Sequence, residues 1–406
     1  MVLIMELHRV YQIENAHFMF ISIAYILVSA LFQLAFNPND VFKTEGLFSF
    51  IGTFPNGEPM GIPMMVTTFS DGAFVLYEYD NQSLKKFDNN GNHIKNLTNR
   101  GRGPGEFLDI DHIFIDRKDR LLVTDHVQFK ITVINPDQEK SDHFIFKNRP
   151  RIRSFHQTID GQYIIGFRNY SGTDIKSDPE MFHKIDENLE LHKLGFISPK
   201  GLHRLVPGAV SEVVMRGTSG RLTDNSVLTV NDDLLVVPAL YNGKMLLYNK
   251  VSDYEEYEII EVSGDYGVPY EEFQEPRHIT QQMFEEEGVS MVNNPVGRTF
   301  FLHFNRSLGL FNLNTGHIVH FAQIKEGKKA VLVAEILDEQ GKEVLYAQKL
   351  ETLGNLRIKD CITEYNKYSR INLEFHHLDH QNRLFVSLFG ENDMPELHVI
   401  QLNVEL

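Results

Sequence analysis

Residues 74–87 read FVLYEYDNQSLKKF, and residues 121–134 read LLVTDHVQFKITVI. Laid over each other, Phe74 falls on Leu121, Glu78 on Asp125, Leu84 on Ile131 and Phe87 on Ile134, each pair 47 positions apart. Both stretches are two short β-rich runs separated by a break. The first is entered through Asp71-Gly72 and left through Asn89-Asn90-Gly91; the second is entered through Lys118-Asp119 and left through Asn135-Pro136-Asp137. Runs bounded in this way by Asn, Asp, Gly and Pro are strands joined by hairpins. Their return at a period of roughly 40–50 residues is the mark of propeller blades. Between the two copies, at their joint, stands Gly101-Arg102-Gly103-Pro104-Gly105-Glu106-Phe107.

Weaker copies extend outward from this pair. One runs Tyr163-Ile164-Ile165 and returns near Phe182–Ile185; another runs Leu234–Val237 and returns at Met245–Tyr248. A third follows Val296-Gly297 as Phe300-Phe301-Leu302 and returns at Leu310–Leu313. The last has Leu384-Phe385-Val386 and ends in Leu397–Ile400. The fold expected is all-β, a six-bladed β-propeller, with seven blades as the alternative if Val344–Ala347 opens a degenerate unit. A blade is apolar on both faces and buries them only against neighbours, and 30 Phe and 15 Tyr suit that packing. The absence of Trp argues against WD-type blades. The final strand, near Leu397–Val404, is expected to pair with a strand from the N-terminal blade and remove open edges.

The joint resembles the Gly-x-Gly-Pro-Gly-Glu-Phe motif of a bacterial six-bladed β-propeller family of envelope proteins, often lipoproteins, with NHL-like repeats. The unit after it, with Asp116, Asp119, Leu122-Val123-Thr124-Asp125 and Ile131–Ile134, resembles an NHL unit. The resemblance is specific over residues 68–140 and diffuse beyond. It implies a fold and an envelope location much more than an activity. Read on its own residues, the motif is structural: Gly101, Gly103 and Gly105 allow positive φ or close backbone approach, and Pro104 stiffens the bend. Phe107 packs between blades and Glu106 pairs locally. A phosphate loop would need a Lys-Ser or Lys-Thr and a following helix, and neither is present.

From Phe18 to Phe36 the chain is apolar except for Ser22, Ser29 and Gln33. That length is close to what spans a bilayer, and Val28-Ser29-Ala30 suits signal cleavage. Residues 1–36 therefore read as a signal peptide or a membrane anchor, and residues 37–406 as one propeller domain in the cell envelope, periplasmic or on the outer surface. If uncleaved, residues 18–36 hold the protein at the membrane. No Cys follows the apolar run, unlike in the lipoprotein relatives; Cys361 stands alone, so no intrachain disulfide forms. The formal charge of −16 disfavours nucleic acid as a partner.

No H-E-x-x-H, G-x-S-x-G or Cys-His signature appears. No cofactor, metal or catalytic residue is assigned. Asp109-Ile110-Asp111 alternates, so both carboxylates can share one side of a strand. The candidate ligand-binding residues are Arg102, His112, His126, Arg153, His303 and His377, on the expectation that polar groups from several blades converge at a channel mouth. Two long connections, residues 195–221 and 268–284, are further places for binding groups. The function expected is a monomeric, non-catalytic binding or scaffold propeller for a peptide, glycan or partner protein. The alternative is a metal-assisted hydrolase or lyase of lactone or carbohydrate type.

Overall fold

A computed structural model describes residues 41–97, 100–103, 106–128, 130–135, 141–145, 151–168, 182–185, 191–193, 227–237, 243–252, 254, 256–261, 306–326, 329–365, 368–389 and 394–406. Among them are six four-stranded antiparallel sheets. The first holds β2 (Pro63–Thr68), β3 (Phe74–Glu78), β4 (Ser83–Phe87) and β5 (His93–Asn96). The second holds β6 (Ile110–Ile115), β7 (Leu121–Asp125), β8 (Lys130–Ile134) and β9 (Ser141–Ile145). The third runs from β10 (Arg151–Gln157) through β11 (Tyr163–Arg168) and β12 (Phe182–Ile185) to β13 (Leu191–Lys193). The fourth runs from β14 (Val227–Val230) through β15 (Asp233–Val236) and β16 (Lys244–Tyr248) to β17 (Tyr257–Glu261). The fifth comprises β18 (Arg306–Asn312), β19 (Ile318–Glu326), β20 (Lys329–Leu337) and β21 (Val344–Leu350).

Two hairpins come next, β22 (Thr352–Leu353) with β23 (Leu356–Arg357) and β24 (Ile362–Tyr365) with β25 (Tyr368–Ile371). The sixth sheet combines both ends of the chain: β26 (Glu374–Leu378), β27 (Arg383–Phe389) and β28 (Pro395–Val404), with β1 (Phe42–Ile51) as its outer strand beside β28. The expected pairing of the last strand with an N-terminal strand is therefore found. Residues 45–401 form one compact unit; the terminal stretches, up to Thr44 and from Leu402, form a second, small one. Within the terminal unit the Glu405 amide donates to the Val41 carbonyl at 3.0 Å.

Inside residues 45–401 the first strands touch in cyclic order: β2 meets β6, β6 meets β10, β10 meets β14, β14 meets β18, β18 meets β26, and β26 returns to β2. This is an all-β propeller. Its hydrophobic clusters lie between sheets. Phe107 joins Phe69, Val75, Tyr77 and Leu84 of the first sheet to Ile113, Leu121 and Val123 of the second, as expected of a residue packed between blades. Phe50, Phe54, Phe74, Phe87 and Phe385 fill the seam between the last sheet and the first. Each such side chain removed from water contributes roughly 1.5–3 kcal/mol.

Five of the six turns joining first and second strands share one geometry; in the fourth sheet the turn is Asn231-Asp232, both at positive φ. In the turns starting at Phe69, Asp116, Thr158, Leu313 and Asp379, the fourth residue has positive φ and donates its amide to the carbonyl of the first. Gly fills that position at Gly72, Gly161 and Gly316; Asp119 and Asn382 fill it at φ 55° and 60°, where Asp and Asn are the side chains best tolerated.

Two readings of the sequence are corrected. Leu310–Leu313 is not a return strand: β18 ends there and is the first strand of the fifth sheet, so the repeat is shifted by one hairpin in that unit. Val344–Ala347 opens no further unit, because it belongs to β21, the outer strand of the same sheet. Residues 1–36 and the long connections at 195–221 and 268–284 lie outside the described residues. Among the described residues no helix is long and apolar enough to cross a membrane.

Candidate functional site

The strands of each sheet alternate in direction, so its two ends differ. At one end lie the first-to-second strand turns, bonded to each other. The Ser70 amide donates to Asp119 Oδ1 at 2.8 Å, the Asn314 amide to Asn382 Oδ1 at 2.7 Å, and the Arg383 guanidinium to the Gly72 carbonyl at 2.5 Å. At the other, the entry end, lie the starts of the first strands and the second-to-third strand turns. Ladder register shifts in five first strands; in four of them the bulged residue, Met64, Asp111, Arg153 or Leu308, stands five positions ahead of its turn, and in β26 His376 stands three ahead. Bulges of this kind re-aim side chains at rims.

The glycine-rich loop enters β6 at this end, and Glu106 organises it. Its Oε2 accepts the Gly103 amide at 2.6 Å, and the Gly101 amide donates to the Phe107 carbonyl at 3.0 Å. A Cβ on Gly101 would stand 2.0 Å from Glu106 Oε2, and one on Gly103 2.9 Å. Close approach of the carboxylate is therefore what these two glycines permit; neither has positive φ. Lys130 Nζ donates to the Glu106 carbonyl at 2.6 Å and lies 5.0 Å from the centre of the Phe107 ring. The motif folds upon itself. Pro104 and Gly105 are outside the described residues.

Asp125 anchors the turn between β7 and β8. Its Oδ2 accepts the Leu108 amide at 2.6 Å and the Gln128 side-chain amide at 2.8 Å, and its Oδ1 accepts the Val127 and Gln128 amides at 2.9 Å. The turn so fixed presents His126 to the residues on either side of Ile110. His126 Nε2 is 3.3 Å from Asp109 Oδ2, and Nδ1 is 3.2 Å from Asp111 Oδ1. The two alternating carboxylates thus share one partner. Tyr77 is buried beside them: burial first, then the Asp109 charge, hold its hydroxyl well above the usual phenol range, with smaller effects from Tyr79 and Asp111.

The six residues singled out from the sequence do not form one cluster. Arg102 is exposed in the entry loop, and His126 is the carboxylate-flanked ring at the same end. Arg153 occupies a bulge of β10. His303 lies outside the described residues. His112 and His377 sit in different seams: His112 stacks on Phe155 at 5.9 Å, while His377 Nε2 is 2.9 Å from Thr68 Oγ1. Burial lowers the pKa of His112 to about 3 and that of His377 to about 4. Both rings stand in the walls between sheets, as do those of His156 and His376.

Also missed were Tyr77 and Tyr79. Their i, i+2 spacing was the available signal, since it sets both on one face of a strand. Ile51, Met64, Tyr79, Val127, Phe389 and Met394, all at the entry end, are each 40–50% exposed; at the opposite end Ile159 and Val251 are exposed. Among the described residues no group of three or more His, Cys, Asp or Glu is placed to hold a metal ion. Cys361 is buried, and burial pushes its thiol up to about 11.

No curated protein matches the sequence. In fold, the chain is similar to a member of the DUF4221 family from Bacteroides vulgatus, at 10% identity and a TM-score of 0.52, over 90% of this chain and 99% of that one. It is also similar to a Bacteroides fragilis protein named as a candidate for export, at 11% identity and a TM-score of 0.50, over 90% and 96%. Staphylococcus aureus virginiamycin B lyase superposes at 8% identity over 89% and 100%, with a TM-score of 0.44 that carries no functional argument. The family model DUF5128, described as a 6-bladed beta-propeller, matches residues 59–194, which include the glycine-rich joint. Residues 59–194 are thus similar to a 6-bladed beta-propeller family, and the chain is a β-propeller by fold.

Proposed function

We propose that this chain is a six-bladed, extracytoplasmic binding propeller that engages a peptide, a glycan or a partner protein at the entry end. The observation that carries this reading is a coincidence of two features at one end. Six large apolar side chains are exposed there, and the same end holds the Asp109–His126–Asp111 group in the mouth of the seam between the first two sheets. Exposed apolar surface beside fixed polar groups is what a recognition site needs. At the opposite end the turns spend their polar groups on each other. Six four-stranded sheets and the family description support the blade count. The apolar run at residues 18–36 supports export, with residues 37–406 as the propeller.

Thermal shift of the full-length protein against glycan and peptide collections tests the reading, because a ligand of the native state raises the melting temperature. The shift produced by a hit should vanish in Val127→Asp and Tyr79→Ala and persist in Ile159→Ser. Loss in Ile159→Ser alone would move the site to the other end.

A further inference from the structure

Tyr77 is 1% exposed, and its hydroxyl proton finds no acceptor within the fold. A buried O–H left unpaired costs roughly 1–3 kcal/mol, so a fold that keeps one has a use for it or a cost without return. The Ile110 amide interacts with the phenol oxygen as a donor, so it offers the O–H proton no acceptor. The hydroxyl belongs to the electrostatic neighbourhood of Asp109, Asp111 and Tyr79, and the two carboxylates bracket His126 at 3.3 and 3.2 Å. Tyr79, two positions on from Tyr77 and just past the end of β3, is half-exposed, and a third of Asp109 is open.

We infer that the mouth of the seam between the first two sheets is a saccharide subsite, in which a sugar hydroxyl accepts a hydrogen bond from the Tyr77 O–H and donates one to Asp109 while the ring lies on Tyr79. This rests on the entry end being the binding face and names the ligand class. The chemistry selects the ligand. Asp109 and Asp111 accept hydrogen bonds and Tyr77 donates one, so the ligand must both give and take; sugar hydroxyls do both. An ammonium or guanidinium group gives only, and it would leave the Tyr77 proton as unpaired as before. A phosphate or carboxylate takes only, and would face two aspartates. An aromatic face beside such groups suits the C–H surface of a pyranose. Tyr79 and Asp109, which reach solvent, stand at the entrance. The phenol stays protonated, as burial and the neighbouring carboxylate favour, and so remains a donor.

The test is a printed array of neutral oligosaccharides, with Lys- and Arg-containing peptides alongside, probed with the full-length protein and its Tyr77→Phe, Tyr79→Ala and Asp109→Asn variants. Binding to a neutral oligosaccharide is expected, weakened about tenfold or more by each substitution. Tyr77→Phe separates binding from structure, because removing an unpaired hydroxyl leaves the melting temperature of the free protein unchanged or higher. A lower melting temperature in Tyr77→Phe would show the hydroxyl already engaged within the fold, by a water for instance, and would overturn the subsite. A basic peptide bound instead, sensitive to Asp109→Asn but not to Tyr77→Phe, would keep the binding face and overturn the saccharide. Absence of any oligosaccharide binding also overturns it. A bound ligand indifferent to Tyr79→Ala and Asp109→Asn would overturn the binding face as well.

Discussion

Asp119 holds the turn of the preceding sheet through Ser70: its Oδ1 accepts the Ser70 amide at 2.8 Å, and its other carboxylate oxygen accepts the Ser70 hydroxyl. Asp119 does this from a backbone φ of 55°. The equivalent positions Gly72, Gly161 and Gly316 adopt that conformation without strain but carry no side chain to latch a neighbour. Asp119→Gly therefore relieves strain while losing the latch, and a net cost of about 0.5–1 kcal/mol is expected. Asp119→Ala loses the latch and keeps the strain, for about 1–2 kcal/mol more. Urea midpoints of the two variants should fall in that order; equal midpoints would show that the latch, not the backbone, sets the whole effect.

The seam that joins the last sheet to the first should be the most sensitive part of the fold. Arg383 donates to Asp379 at 2.7 Å and to the Asn89 carbonyl at 2.8 Å, and it also bonds the Gly72 carbonyl at 2.5 Å. The Asp379 side chain is fully buried. Removing one member of such a pair leaves an uncompensated charge, so Arg383→Met should cost about 3–5 kcal/mol. The Asp379→Leu, Arg383→Met double variant should cost less than the sum of its parts, because neither charge is then stranded. Strict additivity in denaturant titrations would refute the coupling.

The turns explain which parts of the fold were legible in the sequence. The pair of copies 47 positions apart was legible because both kept strand, turn and strand at matching positions. The fifth unit was misread because its Asn314-Thr315-Gly316 turn joins a first strand to a second, whereas Asn89-Asn90-Gly91 joins a third to a fourth. Both turns use the same pattern, an amide of the fourth residue donating to the carbonyl of the first. Turn chemistry therefore marks a hairpin without saying which one. In the site, alternation allowed Asp109 and Asp111 to share one side of the chain, and both lie against His126. Nothing in the sequence marked the Tyr77 hydroxyl as unpaired, and the counterpart of Tyr77 in the next unit is Thr124; an unpaired buried hydroxyl is a property of packing.

Four wall histidines should make the fold acid-labile. Burial lowers His112 to about 3 and His156, His376 and His377 to about 4, against about 6.5 in an unfolded chain. Below pH 6.5 the unfolded chain takes up protons that the folded rings refuse. Their contribution to stability is thus intact above that pH and is lost as the pH falls toward 4. Each ring adds a slope of no more than about 1.4 kcal/mol per pH unit. His377 faces Thr68 and Phe385, with Asp379, Arg383 and His380 nearby. His377→Gln retains a polar group for Thr68 and cannot titrate, so its stability should fall less steeply between pH 6.5 and 4.5 than that of the parent. Parallel curves from urea titrations would show that the ring is not linked to unfolding.

The glycine-rich joint should respond to substitution as a structural element. Glu106→Ala removes the acceptor of the Gly103 amide, a charge-assisted bond worth roughly 1.5–3 kcal/mol. Gly101→Ala places a Cβ where the carboxylate lies, so it should expel Glu106 and cost a similar amount. Combining the two should cost little more than either alone, because each removes the same contact. Arg102, exposed and outside this network, should tolerate Ala within about 0.5 kcal/mol. A motif built to hold a ligand would behave in the opposite way: Arg102→Ala would abolish the ligand-induced thermal shift, and Gly101→Ala would leave the melting temperature of the free protein where it was.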